Sequence, residues 1–586
     1  MSEQAPSILL DDAAIALFEM RADEVISANL THDILGFINA IENPNYIFSN
    51  EIIKSRYYYT IANCQSAVFN KTNTTWYSEE LGKSVINYKK ALNALQNIDN
   101  TKKYIANLKS RIETNLGNYL YSQGRLLCCK NHWEMAIDLD NNPVAIIRKA
   151  YNNIELAGSL YDEGHSYYHY YEAYKSICVG LNGISTLDPE LASAYSKDGS
   201  LIKFKNWFEK NFNESDFNSI DNYKENFETK KQYNYLKWCG DNRLFLNELN
   251  DEYTTELVYT DCITLPSHTA IINQTLTMCE DLVYHGNFDE IKNDYIYARY
   301  LIFSAHNIPS ENIHFYNNTY QHIDDMSHAI TNLKSQHYKS AFKTLYSIFD
   351  KIAYFLNSFY DFNDIDARIY FHNFFGKFEN GKLKPHSKLK ESNNQFLHAL
   401  FYILKDIRDS NHKDDNLDSE SYWLDPDAEK FSKIRNAIEH RSLKIIDNFG
   451  YKLLNNDSNN QEKIYAEEKN NLESLDSEIK VICKEIKTHK ENNNQTKLNI
   501  LVDKRDELVK KITLSKNKIN DKTKRSKHSL MISEHDFEAR LILLIRLVRR
   551  SIIYLSLAIH WEQKQSRDDY PIVISRDVPL KHKLDI

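Results

Sequence analysis

Apolar residues in this chain recur every three or four positions over long stretches, and little interrupts them. Ala341, Leu345, Ile348, Ile352, Phe355 and Phe359 form one such series, and Phe396, Leu400, Ile403, Leu404 and Ile407 form another. That spacing lines each set along one face of a helix. Only 14 Gly and 10 Pro occur in 586 residues, and alternating, strand-like runs are few. The expected fold class is therefore all-α, in a chain long enough for two to four domains with sizeable cores.

Charge and cysteine usage narrow the function. A formal net charge of −9 opposes a whole-surface attraction to nucleic acid, so any RNA has to be drawn into a local basic cleft. The cysteines Cys64, Cys128, Cys129, Cys178, Cys239, Cys262, Cys279 and Cys483 include no C-x-x-C pair and no zinc spacing, and read as reduced thiols. The start Met1-Ser-Glu-Gln-Ala-Pro-Ser7 has no basic segment followed by an apolar one, and no stretch approaches a membrane span. A cytoplasmic protein with no membrane contact, no cofactor and no metal is expected.

The best candidate active site is Arg435-Asn436-Ala437-Ile438-Glu439-His440. Its helix is expected to start at Asp425-Pro426-Asp427, with an acidic N-cap and a proline at the first helical position. Phe431, Ile434 and Ile438 then supply the inward stripe. A spacing of four stacks Asn436 and His440 on one face, and Arg435 is long enough to reach the same cleft. Three polar groups then meet one phosphate. A histidine can take the proton from a ribose 2′-OH or give one to the leaving 5′-oxygen, while a guanidinium holds the phosphate and its developing charge. Such a set suits RNA cleavage without a metal. The bland alternative is an ordinary i,i+4 ion pair between Arg435 and Glu439, with His440 ending a turn.

The string resembles the Arg-x4-6-His signature of the HEPN superfamily, with a polar residue directly after the arginine. The surroundings resemble a HEPN subgroup that carries helical repeats upstream, in stretches such as Leu345 to Phe355, Phe431 to Arg441 and Leu547 to Leu555. The resemblance implies a ribonuclease working as a symmetric homodimer, with two Arg435–His440 strings sharing one cleft. It also implies products ending in a 2′,3′-cyclic phosphate and a 5′-hydroxyl, and a role as a regulated toxin or antiphage defence effector.

Along the chain, residues 1–45 read as N-terminal helices and 46–186 as tetratricopeptide-like repeats. In the best copy, Leu116-Gly117 and Gly124 belong to the first helix and its bend, and Trp133 and Ala136 are the large and small packing positions of the second. Stacked helical hairpins offer a concave surface for a protein partner or trigger. Residues 187–330 read as a helical connector with one irregular core, and Phe288 to Ala305 as an amphipathic helix within it. The HEPN four-helix bundle is expected over 331–450 and 527–570, its last helix starting at a capping box of Ser533 and Asp536. Between them, 458–526 reads as an antiparallel coiled-coil hairpin: Leu472, Leu475, Ile479, Ile482 and Ile486 face Leu498, Leu501, Leu508 and Ile512, with Arg505 in the missing slot.

Supporting roles are expected for Glu439, Asp350 and Asp406 near the site, and for Arg540, Arg546, Arg549 and Arg550 as guides for an RNA backbone. Gly376 to Leu383 nearly spells a P-loop, but leucine stands where a hydroxyl is required and no strand precedes it. His165 and His169 sit at i,i+4 without a third ligand, and read as surface or packing histidines. Two rival functions remain: a HEPN protein that binds RNA or nucleotide without cutting, and an adaptor that works through its repeats and uses the bundle to dimerise.

Overall fold

Polar side chains decide where many of the helices begin. Asp11, Ser78, Asn142, Asp162 and Thr229 each accept a backbone N–H from two or three residues further on, which satisfies donors that a helix start leaves open. Ser533 does the same, accepting from the Asp536 N–H at 3.0 Å, as its place in the expected capping box requires. The computed structural model describes residues 8–566 except 29, 43–45, 73–74, 184–188, 194–198, 218–222, 267–277, 312–314, 318, 320–327, 361, 363–368, 380–381, 408–425, 492–494 and 527–529. The fold is all-α, with short strands paired two by two. Asp425, the expected N-cap, lies outside the described residues, and the helix is seen from Pro426.

The chain divides into two compact units: Met1–Tyr300 with Thr344–Phe431 and Leu544–Ile586, and Leu301–Lys343 with Ser432–Leu543. In the first, parallel strands Ile8–Leu10 and Tyr46–Phe48 bracket helices Asp12–Ser27 and Thr31–Ile41. Successive helical hairpins follow: Glu51–Thr72 packs on Glu79–Ala94, Lys103–Ser122 on Leu126–Asp140, and Pro143–Ser159 on Glu163–Leu181. Trp133 and Ala136 are fully buried. A Cβ at Gly117 would lie 2.6 Å from the Trp133 Nε1, so the glycine is what lets these helices close.

These hairpins share a core with C-terminal helices of the same unit. Arg125 and Lys89, both from the hairpin region, bind the buried carboxylate of Asp406 on helix Gln395–Ile407 at 2.6 and 3.1 Å. Burial alone would raise the Asp406 pKa, but the two cations outweigh it and hold it down to about 2. Trp76 donates to the Lys390 carbonyl and stacks on His398 with ring centroids 4.1 Å apart. The Leu127 N–H donates to the Tyr554 hydroxyl on helix Glu534–Ser566.

The irregular core of the expected connector is held by two buried arginines. Arg299, on helix Met278–His306, grips Asp261 with both Nη atoms, at 2.8 and 2.7 Å, and donates to the Leu244 carbonyl. Arg549 binds Asp251 at 2.7 Å and the carbonyls of Phe245 and Asn247. A loop without helix or sheet partners has buried carbonyls to satisfy, and guanidinium groups with five donors do so efficiently.

In the second unit, parallel strands Leu443–Ile446 and Leu530–Ser533 stand at the base of an inserted hairpin. Parallel strands need a crossover connection, supplied here by helices Asn448–Glu491 and Gln495–Ser526. The first arm thus begins at 448. Ile482, Ile486 and Leu508 form the seam, flanked by Leu475, Leu501 and Val502, which is the coiled-coil packing expected. Arg505 turns to its neighbour Asp506, Leu498 lies among the side chains not described, and most of the expected tip, Glu491 to Gln495, lies outside the described residues. The P-loop-like string runs instead over an antiparallel pair, Gly376–Glu379 with Lys382–Pro385.

His398 makes part of the first unit pH-sensitive. Burial pushes its pKa down to about 4, against the opposing effect of its bond to the Ser392 carbonyl. Between pH 6.5 and 4 the unfolded chain binds a proton that the folded chain refuses, so stability falls as pH drops through that window. Urea unfolding should show about 2 kcal/mol less stability at pH 5 than at pH 7 from this group, a component that His398→Phe removes.

Candidate active site

Helix Pro426–His440 sorts its residues by face. Phe431, Ile434 and Ala437 are buried, while Ile438 is only half-buried. The inward stripe is therefore shifted by one position from that expected, with alanine in the last slot. On the other side, Arg435 and His440 have side chains 41% and 72% exposed. Asn436 is half-buried between them. The Glu439 carboxylate links the two, with Oε2 3.5 Å from Arg435 Nε and 3.7 Å from His440 Nε2. Both distances exceed those of a good hydrogen bond, so this is electrostatic proximity, in which a phosphate entering beside Arg435 competes with Glu439.

The helix ends where strand Leu443–Ile446 begins. The Ser442 carbonyl accepts from the Leu530 N–H at 2.8 Å, and the Leu443 carbonyl from Lys339 Nζ at 2.9 Å. These bonds fix the backbone two and three residues after His440, so the imidazole sits on an anchored helix end rather than a fraying one. Neither strand was foreseen, because four residues are too few for a periodic signal. The runs Leu443-Lys-Ile-Ile446 and Leu530-Met-Ile-Ser533 carry the only clue, their apolar and β-branched content.

The other expected site residues go elsewhere. Asp406 is committed to Arg125 and Lys89, and Asp350 accepts from the Phe371 N–H at 2.9 Å. Both carboxylates lie in the first unit and have partners within it, whereas Arg435 and His440 belong to the second. The arginine set on the last helix is corrected. Arg549 is 1% exposed and paired with Asp251, Arg550 is buried, and Arg540 is buried against Asp536. Arg546 is half-buried and donates to the Asn242 carbonyl. That helix is buried at every position from Leu547 to His560, so its arginines brace the fold and do not form a solvated face. His165 pairs with Glu248 and His169 is fully buried beside Lys130, which makes both packing residues.

An all-α chain with an arginine, an amide and a histidine on the solvent side of one helix defines a class of helical proteins with a polar site on a helix. Residues 277–482 match the family model described as LA2681-like HEPN. Over that stretch the chain carries a HEPN domain, which includes the Arg435–His440 string and helix Met278–His306. No curated protein and no solved structure matches it. The domain associates the chain with RNA cleavage or nucleotide binding. Among the described residues, no helix is long and apolar enough to cross a membrane.

The two groups of cations should separate cleanly in stability. Arg549→Ala strands Asp251 and two buried carbonyls, and should cost about 3–5 kcal/mol. His440→Ala and Arg435→Ala alter an exposed face and should stay within about 0.5 kcal/mol of wild type. Thermal denaturation of the three variants checks this.

Proposed function

We propose that the protein is a metal-independent endoribonuclease of the HEPN type. The observation that carries this reading is the exposure of Arg435 and His440 on one helix face, above a buried stripe, inside the HEPN-matched stretch. His440 acts as general base on the ribose 2′-OH or general acid on the leaving 5′-oxygen. Arg435 holds the phosphate and its developing charge, and Asn436 hydrogen-bonds a phosphate oxygen. Reaction through the 2′-OH leaves a 2′,3′-cyclic phosphate and a 5′-hydroxyl.

The active form is a homodimer through the HEPN domain, with both strings lining one cleft. The N-terminal hairpins receive a protein partner or trigger, and the enzyme works in the cytoplasm as a regulated toxin or antiphage effector. The junction of those hairpins with helix Gln395–Ile407, through Arg125, Lys89 and Asp406, supports such control, since an event on the hairpins bears directly on a helix of the HEPN-matched stretch. The Glu439 carboxylate beside Arg435 favours a second reading, a HEPN protein that binds RNA or nucleotide without cutting.

The test is incubation of wild type, His440→Ala and Arg435→Ala with labelled transfer and messenger RNA in EDTA, followed by end-group analysis. The nuclease reading expects cyclic phosphates from wild type and at least a hundredfold slower cleavage by each variant. Equal cleavage by all three removes this site. RNA binding by wild type without cleavage, weakened by Arg435→Ala, selects the second reading.

A further inference from the structure

Beyond His440, the chain builds a second cluster that the catalytic reading does not use. The segment His328-Ala329-Ile330 runs along the free edge of strand Leu443–Ile446: Ala329 bridges to Ile446, and the Ile330 N–H donates to the Ile445 carbonyl at 2.8 Å. His328 holds a left-handed backbone, φ +50°, uncommon for a residue with a side chain and kept where the surroundings over-determine it. Its carbonyl accepts from the Asp447 N–H at 3.1 Å. The Asp447 carboxylate lies 3.2 Å from His328 Nδ1 and accepts the Gly450 N–H at 2.7 Å. A Cβ at Gly450 would come within 2.2 Å of the His328 Cβ, so only glycine admits the imidazole here. The arrangement is over-determined, yet it supports an exposed surface.

That surface is aromatic and basic. Phe449 is 67% exposed, with its ring centroid 5.9 Å from that of His328 in an edge arrangement. Lys452, one helical turn on, is exposed, and spacing of three places it on the same face as Phe449. With Nδ1 engaged by Asp447, the His328 Nε2 is bonded by none of the described residues and is the nitrogen that would meet a ligand. From Lys433 to Lys452 the chain carries Lys433, Arg435, Arg441, Lys444 and Lys452 against Glu439 and Asp447, a local positive balance in a chain of net charge −9. Exposed aromatic rings beside cations are the chemistry of single-stranded nucleic acid: bases stack on the ring and cations follow the backbone.

We infer that His328, Asp447, Phe449 and Lys452 form a platform for single-stranded RNA, which binds substrate outside the Arg435–His440 site. The inference rests on the proposed RNA function and deepens it. A base stacks on Phe449, the imidazole held by Asp447 bonds that base's edge, and Lys452 contacts a phosphate. The platform is nine residues from His440 along the chain, a span of at most about 30 Å, so one strand occupies both.

The experiment measures anisotropy of a labelled mixed-sequence single-stranded oligoribonucleotide on the full chain carrying His440→Ala, with Phe449→Ala, Phe449→Trp or Lys452→Ala added. Phe449→Ala should weaken binding about tenfold, while Phe449→Trp, which keeps a stacking face, should bind at least as well as the parent. Lys452→Ala should weaken binding and lower the slope of log affinity against log salt by about 0.7. Affinities of the alanine variants within twofold of the parent overturn the platform, as does equal loss from Phe449→Ala and Phe449→Trp. Dissociation of a dimer by Phe449→Ala with RNA affinity intact overturns it too, and assigns the surface to a second copy of the chain. Cleavage by the His440-intact chain is scored separately. Unchanged cleavage in His440→Ala defeats the catalytic reading while leaving the Phe449 comparison decisive for the platform.

Discussion

The pairing of Leu443–Ile446 with Leu530–Ser533 is four residues long, and the second unit is organised around it. One strand begins directly after the Arg435–His440 helix and the other ends where helix Glu534–Ser566 starts. The chain between them leaves as a long helical hairpin and returns in parallel register, so the insertion is rooted on a fixed base. The hairpin's own seam of Ile482, Ile486 and Leu508 packs its two arms together. A helix terminus carrying an exposed histidine gains from such a base, because its last carbonyls would otherwise fray into water.

In the first unit the governing constraint is the satisfaction of buried polar groups far apart in sequence. Asp406 is met by Arg125 across 281 residues and Asp251 by Arg549 across 298. Each pair ties N-terminal chain to a C-terminal helix, and in each case loss of one partner leaves a desolvated charge behind. These pairs make the hairpins and the C-terminal helices one folded body.

Much of the fold was legible because its signals are local. The stripe from Ala341 to Phe355, the buried set from Phe396 to Ile407, the Ser533 cap and the seam of the hairpin all follow from spacings of three and four within one helix. The Arg435–His440 string was legible for the same reason, and only its inward stripe moved, to Ala437 in place of Ile438. What escaped was non-local or very short. Asp406 carries no mark in its own neighbourhood that names Arg125. The strands Leu443–Ile446 and Leu530–Ser533 span four residues each, only two periods of strand alternation, too few to stand out as a pattern. The arginines of the last helix, expected as guides for an RNA backbone, lie instead in a helix whose apolar run on every side of them, from Leu541 to Leu555, signals burial all round, where a cation must be paired.

The claim on which the rest turns is that cleavage proceeds through the ribose 2′-OH at the Arg435–His440 face. The most direct measurement maps the cut sites of wild-type protein on a defined RNA, then repeats the reaction with a single 2′-deoxynucleotide on the 5′ side of the main site. The account predicts that this cut disappears while neighbouring cuts persist. Undiminished cleavage at the deoxy position would mean that water, and not the 2′-OH, attacks the phosphorus, and would contradict the role given to His440.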